Sequence, residues 1–334
     1  MLLLHSTPDP AHHDVDVPNR FNASWGRDNC IIWRHARHAD FGPYTHSLSI
    51  RAVWGGVEYC HVNGRTIAVD DDNFLILNHG RRCSTSIRSV QPVESLTICF
   101  SPKLVEGMQE DVAKTIEQAL HGAAEGREQT LDFFENLQPH DRSISPVLRF
   151  IRVHLMRGWV NDAWYDEQLT FLLARMQMHH GRLLERVDRL AFVRPATRRE
   201  VYRRVALATD FLHTNYAHDV NLGALATMAY LSKFHFLRLF TSIHGITPFA
   251  YLQRKRVHVA ARLLESTQLM TSEIAASVGL AESTLLRQTR RWLKLTPQQI
   301  RAGGLKGEAA SGDSAAPSLR GAIQAISAGQ VRNN

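Results

Sequence analysis

The amino-acid sequence predicts an α+β protein in which a strand-built N-terminal domain with a helical extension precedes an all-helical C-terminal domain. Three observations carry this prediction. Apolar residues alternate with period two between about Tyr44 and Phe100, and from Pro102 they recur at threes and fours. Beyond Arg194 the helical signal breaks into short helices separated by capping residues and tight turns. At 334 residues the chain is longer than one ordinary core, and two domains with a tail fill it.

Residues 1–20 are expected to be a flexible N-terminus. Leu2 to Leu4 give way at once to a polar, proline-bearing stretch, which is too short for the apolar region of a signal peptide. No run approaches the roughly 18 apolar residues of a membrane span, so the sequence predicts a cytoplasmic protein with no membrane association. Residues 21–110 are expected to hold the strands. His46, Leu48, Ile50, Ala52 and Trp54 read as one face of a single strand, and Leu96, Ile98 and Phe100 as another. Asn63-Gly64 separates Val57–Val62 from Arg65–Val69, and this dipeptide tolerates the positive φ angles of a type I′ hairpin turn. Several short strands with little helix between them suit a sandwich, barrel or jelly roll. Cys30, Cys60, Cys83 and Cys99 show no C-x-x-C spacing and sit in apolar strand-like runs, so they read as buried free thiols.

Residues 111–193 are predicted to be a helical extension. Leu169, Leu172, Met176, Leu183, Val187 and Leu190 form a helical stripe that His180 and Gly181 interrupt. Such a stripe packs on the chain's own sheet or pairs with its copy as a short coiled coil, which would make a homodimer. Arg194-Pro195-Ala196-Thr197 breaks the pattern and reads as a linker.

Residues 194–301 are predicted to form two helix-turn-helix units joined by one helix. Asn221 is a good N-cap for a short helix carrying Leu222, Leu225 and Ala226; Tyr230-Leu231 turns; and Ser232 caps a helix that Gly245 stops. Projection at about 100° per residue puts Phe236, Leu239, Phe240 and Ile243 on the buried side of that second helix. Phe234, Arg238 and Thr241 then face outward, with Leu237 on the flank and Lys233 at the start. Thr247-Pro248 opens the connecting helix, whose apolar stripe is expected at Phe249, Leu252, Val259, Ala260, Leu263 and Leu264 and which has Arg254, Lys255 and Arg256 at its middle. Thr271 is expected to cap the next short helix, Gly279 to end it, and a basic helix to follow from Glu282. In that helix Leu285, Thr289 and Trp292 are expected inside, with Ser283, Leu286, Arg287, Arg290 and Lys294 on the outer side. Residues 302–334, rich in Gly, Ala and Ser, are expected to be a disordered tail.

Charge separates the two halves. Ala191 to Arg301 holds 16 Lys/Arg against 6 Asp/Glu, a balance of +10, which leaves −3 of the overall +7 for the rest. A basic helical module beside a mildly acidic one fits a phosphate-binding domain carried by a domain that does not touch nucleic acid. The basic outer stripe of the second unit suits phosphate contact, while an aromatic and an arginine near the start of the first unit's outer helix suit base readout. Double-stranded DNA is thus the expected partner. An enzyme is disfavoured. A metal-binding jelly roll needs His-x-His with a following carboxylate, whereas His35, His38, His46, His61 and His79 stand singly. Neither a G-x-S-x-G elbow nor a phosphate-binding G-x-x-x-x-G-K loop occurs, so no catalytic residue, metal or cofactor is expected.

The segments L-S-K-F-H-F-L-R-L-F with G-I-T-P, Y-L-Q-R-K-R with A-R-L-L, E-I-A-A-S-V-G, and L-T-P-Q-Q-I-R, spread over Glu200 to Arg301, together resemble the DNA-binding domain of the AraC/XylS family. The resemblance implies a transcription activator that binds promoter DNA and works with RNA polymerase. It also implies an N-terminal cupin-like jelly roll that senses a small effector and assists dimerisation. Within that domain His46 and Trp54 are candidate effector contacts because they share a face of the most strongly alternating strand. The second unit departs from the family pattern: Leu280, Leu285 and Thr289 stand where aromatics are expected, Lys294 stands for glycine, and one residue is missing before Ser283. Its docking is expected to be altered. Two rival readings share the DNA-binding domain: a first domain that only dimerises or binds a protein, and a cupin-type metalloenzyme.

Overall fold

The structure is a computed structural model that describes residues 1–4, 25–119, 132–158, 160–190 and 193–303. The chain divides into two compact units, Met1–Arg189 and Leu190–Asn334.

The first unit is built on a mixed eight-stranded sheet with β1 Leu2–Leu4, β2 Cys30–His46, β3 Ser49–Trp54, β4 Val57–Val62, β5 Arg65–Asp70, β6 Asn73–Leu77, β7 Arg81–Cys99 and β8 Leu137–Pro139. Strand order is β1-β2-β7-β3-β6-β8, and β4 bridges β5 and β7. The two long strands, β2 and β7, organise the sheet. β7 pairs with β2 along its length, with β3 through Glu94–Cys99 and with β4 through Cys83–Ile87. Asn63 and Gly64 take φ 51° and 72° between β4 and β5, the two positive angles that a type I′ turn requires.

Strand β3 is buried on both faces of the sheet apart from half-buried Trp54. Ile50 and Ala52 face a core that also takes in Phe74, Leu96, Ile98 and residues from two helices. Val53 faces a second core with Cys60, Val62, Ile67, Leu75, Cys83 and Ile87. Arg51 and Arg34 are also buried among these strands and share one carboxylate, Glu58, at 3.9 and 3.3 Å. Glu58 further accepts a 2.8 Å hydrogen bond from Ser95 Oγ. All four cysteines are free and buried.

Helices α1 Pro102–Ala119, α2 Ser145–Arg157 and α3 Asp162–Asp188 complete the unit. Asn161 caps α3 by accepting from the Trp164 N–H at 2.8 Å. Among the described residues no helix is long and apolar enough to cross a membrane.

Several expectations need correction. Leu2–Leu4 belongs to the sheet, parallel to Cys30–Ile32, so the first residues are not uniformly irregular. The alternation from His46 to Trp54 is two strands, because a bend at Ser47-Leu48 ends β2 before β3 begins. Leu137–Pro139 adds an edge strand from within the segment expected to be helical. In α3, Leu169, Leu172 and Met176 are fully buried against the chain's own sheet, and Leu183 and Val187 are buried as well. That stripe is spent within the chain, which removes the coiled-coil pairing expected of it. The expected linker is part of a helix, since Pro195 opens it at N1 with Arg194 as its cap. Residues 5–24 and residues 304–334 of the expected tail lie outside the described residues.

Candidate nucleic-acid interface

The second unit comprises α4 Pro195–Thr214, α5 Leu222–Met228, α6 Lys233–His244, α7 Pro248–Ser266, α8 Thr271–Ser277, α9 Glu282–Leu293 and α10 Pro297–Arg301. Several boundaries have a local cause. Asn221 accepts from the Ala224 N–H at 2.8 Å, Ser232 from His235 at 3.3 Å and Thr247 from Ala250 at 3.3 Å, each satisfying an amide that a helix start leaves open. Gly245 ends α6 in the left-handed region at φ 72°. The cap of α8 is Met270 and not Thr271: the Met270 N–H donates to Glu273 at 2.7 Å, half of a capping box.

The two helix-turn-helix units are copies offset by 49 residues. After α5, Tyr230 takes φ 52° and the Leu231 N–H reaches back to the Ala226 carbonyl at 2.9 Å; after α8, Gly279 takes φ 72° and Leu280 reaches Ala275 at 2.9 Å. C-cap, left-handed residue, leucine and N-cap follow in the same order in both. The second turn thus repeats the backbone of the first. Gly279 is also needed for space, because a Cβ there would lie 2.4 Å from the Ala217 carbonyl oxygen.

The offset pairs the inner residues Phe236 and Phe240 of α6 with Leu285 and Thr289 of α9, all four fully buried. Without an aromatic at position 289, the Thr289 hydroxyl turns back onto the Leu286 carbonyl at 3.1 Å. The half-buried Trp292 packs against the second core instead. Lys294 fills the glycine position at φ 59°.

The offset also pairs the outer residues. Lys233, Phe234, Leu237, Arg238 and Thr241 correspond to Glu282, Ser283, Leu286, Arg287 and Arg290. Phe234, at 69% exposure, and Arg238 project into solvent, with the guanidinium 5.8 Å from the ring centroid. Lys233 is exposed, and Leu237 and Thr241 are half-buried. On α9, Ser283, Leu286, Arg287, Arg290 and Lys294 are all exposed, and so is Arg291, which the projection did not single out. Tyr230 was also missed. It stands in the turn at 78% exposure with Arg204 5.7 Å from its ring, and no periodicity covers a turn residue. Phe249 is exposed at 66% and leaves the stripe assigned to it, and the first turn of α7 buries Pro248, Tyr251 and Leu252 instead.

Arg254, Lys255 and Arg256 are buried, so three cations counted toward a basic surface do not reach it. Arg254 lies 5.7 Å from the Trp292 ring and Lys255 5.9 Å from Tyr216. Arg256 donates to the carbonyls of Tyr216, His218 and Gly279 at 2.6, 2.8 and 2.8 Å. One guanidinium on α7 thereby ties the loop before the first unit to the turn of the second.

Residues 225–303 match the family model described as a helix-turn-helix domain. Over 79 residues the chain is 35% identical to the bifunctional transcriptional activator/DNA repair enzyme AdaA of Bacillus subtilis, covering 24% of this chain and 37% of that protein. It is 37% identical over 79 residues to the HTH-type transcriptional regulator AlkR of Acinetobacter baylyi, covering 23% and 26%. Residues 225–303 thus form a helix-turn-helix domain of the AraC type. Among solved structures, the DNA-binding domain of AdpA in complex with a target DNA matches at 30% identity and a TM-score of 0.29, covering 30% of this chain and 91% of that one. The chain spans less than two-fifths of the length of these two curated relatives.

The candidate effector residues belong to the first unit and are not brought together. His46 ends β2 and Trp54 ends β3. His46 is buried, accepts from Arg51 Nη2 at 3.4 Å, and has its pKa lowered to about 3 by burial and then by that guanidinium. Trp54 is half-buried with Arg152 4.7 Å from its ring. Neither lines the cavity of about 490 Å³ bordered by Asn29, Ser101, Leu104, Met108 and Asp166.

Proposed function

We propose that the protein is a sequence-specific DNA-binding transcription regulator, an activator whose first unit is a cupin-like jelly roll that responds to a small effector. The observation that carries the DNA-binding part is the repeat itself: two outward helices, presented by the same turn and tied through Arg256, offer matching rows of side chains. One protomer then addresses two successive major-groove segments, which lie about 34 Å apart along duplex DNA. Phe234, Leu237 and Arg238 suit base edges, with arginine to guanine and apolar groups to a thymine methyl. Arg287, Arg290, Arg291 and Lys294 suit phosphates. RNA polymerase is the partner an activator requires.

Selection of bound duplexes from a random pool, followed by titration across a salt series, tests this reading. A consensus with two elements about one helical turn apart, and affinity that falls steeply with salt, is the expected result. A folded protein that enriches no sequence and binds duplex no better than a neutral control overturns it.

A further inference from the structure

The interior face shared by β2, β3, β4 and β7 gathers charge and sulfur. Arg34 and Arg51 are buried there with Glu58 as the carboxylate between them, and His46 beside Arg51 stays neutral. Two guanidinium charges thus face one carboxylate charge. Among the described residues the Nε of Arg51 has no hydrogen-bond partner, and its Nη1 makes no hydrogen bond, standing 3.9 Å from Glu58. A buried guanidinium short of acceptors favours a second anion beside it. The groups that act electrostatically on Arg51 are Cys60, Cys83, Glu58 and Cys99, so the further anion within reach is a thiolate. Cys60 in β4 lies opposite Thr85, and Cys83 in β7 lies opposite Val62. That register sets the two cysteines diagonally on one face of the same core, with their thiols hydrogen-bonded to each other. Cys83 is the one that ionises. The Cys60 S–H donates to it and the guanidiniums of Arg51 and Arg34 attract it, which against its burial and the charge of Glu58 holds its pKa down to about 7. The same bond, and then burial, push the Cys60 thiol up.

We propose that Cys83 and Cys60 are a reactive pair that a hydroperoxide converts to a disulfide within the first unit. The Cys83 thiolate attacks one peroxide oxygen and breaks the O–O bond, giving a sulfenic acid on Cys83 and, from hydrogen peroxide, hydroxide. The Cys60 sulfur then attacks the Cys83 sulfur; the S–S bond forms, the S–O bond breaks, and the hydroxyl leaves as water with the Cys60 proton. Two electrons leave the pair of sulfurs, and hydrogen peroxide ends as two waters once the hydroxide takes up the proton that Cys83 had released. Diagonal neighbours stand slightly farther apart than a disulfide usually spans, so closure needs β4 to slide along β7 by on the order of 1 Å. Strand β4 suits such a slide, being six residues long and off the main strand path. Local opening of its ladder also admits a molecule as small as hydrogen peroxide to the buried sulfurs. Cys30 and Cys99 are direct cross-strand partners and closer to disulfide spacing, but burial keeps both thiols protonated, Cys99 with a pKa of about 11. Reactivity follows the thiolate, and it selects Cys83. The chemistry is independent of how the second unit reads DNA.

Peptide mapping of the full chain after treatment with hydrogen peroxide tests the proposal. Trypsin separates the cysteines, leaving Cys30 in Asp28–Arg34, Cys60 in Ala52–Arg65, Cys83 in Cys83–Arg88 and Cys99 in Ser89–Lys103. After alkylation in denaturant, the expected product is the Cys60 peptide joined to the Cys83 peptide, with Cys30 and Cys99 alkylated, and dithiothreitol parts the two. The linkage rate should rise about tenfold per pH unit below about pH 7 and level off above it, as the thiolate fraction of Cys83 does. Cys60→Ser keeps the first step and stops at the sulfenic acid, which dimedone traps on the Cys83 peptide, whereas Cys83→Ser gives no link. No link at peroxide concentrations that oxidise a free thiol peptide, a link through Cys30 or Cys99, or a rate still climbing at the ordinary thiol pKa of about 8.5 overturns the proposal. If a serine variant fails to fold, the wild-type peptide map and its rate profile decide.

Discussion

Replacing Arg256 by Met keeps the stem of the side chain on α7 and removes the guanidinium that donates to Tyr216, His218 and Gly279. A hydrogen bond to a charged group contributes about 1.5–3 kcal/mol net, and these three share one donor and are not additive. Water can replace part of what is lost, because the site adjoins the loop before α5. Allowing about 1 kcal/mol per carbonyl gives a loss of about 3 kcal/mol, or roughly a hundredfold in an opening equilibrium. The loss is local. Hydrogen exchange of the full chain, followed on peptides from α8 and α9 and on peptides from α5 and α6, reads it directly. Protection of α8 and α9 should fall by about a hundredfold while α5 and α6 change far less. Equal loss in both units, or exchange within a factor of about five of wild type, would refute the assignment of Arg256 as the tie of the second unit.

Lys294→Gly should stabilise the second unit by about 0.5–1 kcal/mol, since it relieves a left-handed backbone that costs a side-chain-bearing residue about 1–2 kcal/mol and gives back part as chain entropy; the urea midpoint should rise with the slope unchanged, and a lower midpoint contradicts this. His46 is held neutral with a pKa of about 3. The unfolded chain binds its proton near pH 6.5, so stability should fall as pH drops from about 6.5 toward 3, by at most about 1.4 kcal/mol per unit, and His46→Gln should flatten that slope. Arg238→Ala should cost about 1–3 kcal/mol on the best site and relax preference at one or two base pairs; changing Arg290 and Lys294 to Ala should weaken all sequences alike and lower the salt slope by about two. Loss of discrimination in the second variant alone would reverse the two roles.

Much of the second unit was readable because its determinants are local. Asn221, Ser232 and Thr247 cap helices through amides three residues on, and the inner face of α6 is dictated by spacing alone. The features that escaped depend on distant partners. Nothing in R-K-R distinguishes a surface cluster from buried cations, because the carbonyls that receive Arg256 lie 23 to 40 residues away. A stripe such as Leu169–Val187 says that something covers it without saying what, and here the cover is the chain's own sheet. Strand β8 spans three residues, too few to alternate. Doubly buried β3 hid its boundary with β2 because the period-two alternation of His46, Leu48 and Ile50 continues through the bend at Ser47-Leu48.

The connecting helix α7 also works as a ruler with an angular scale. Every residue along it rotates the downstream chain by about 100° and advances it about 1.5 Å. One residue inserted in its middle would swing the second outward helix about a quarter-turn from the first, and no bending of the duplex by a few degrees could recover both contacts. Three or four inserted residues would bring the two helices back to nearly the same bearing but about 5 Å too far apart. If both units engage one duplex as proposed, the length of α7, 19 residues from Pro248 to Ser266, is tied to the repeat of the double helix.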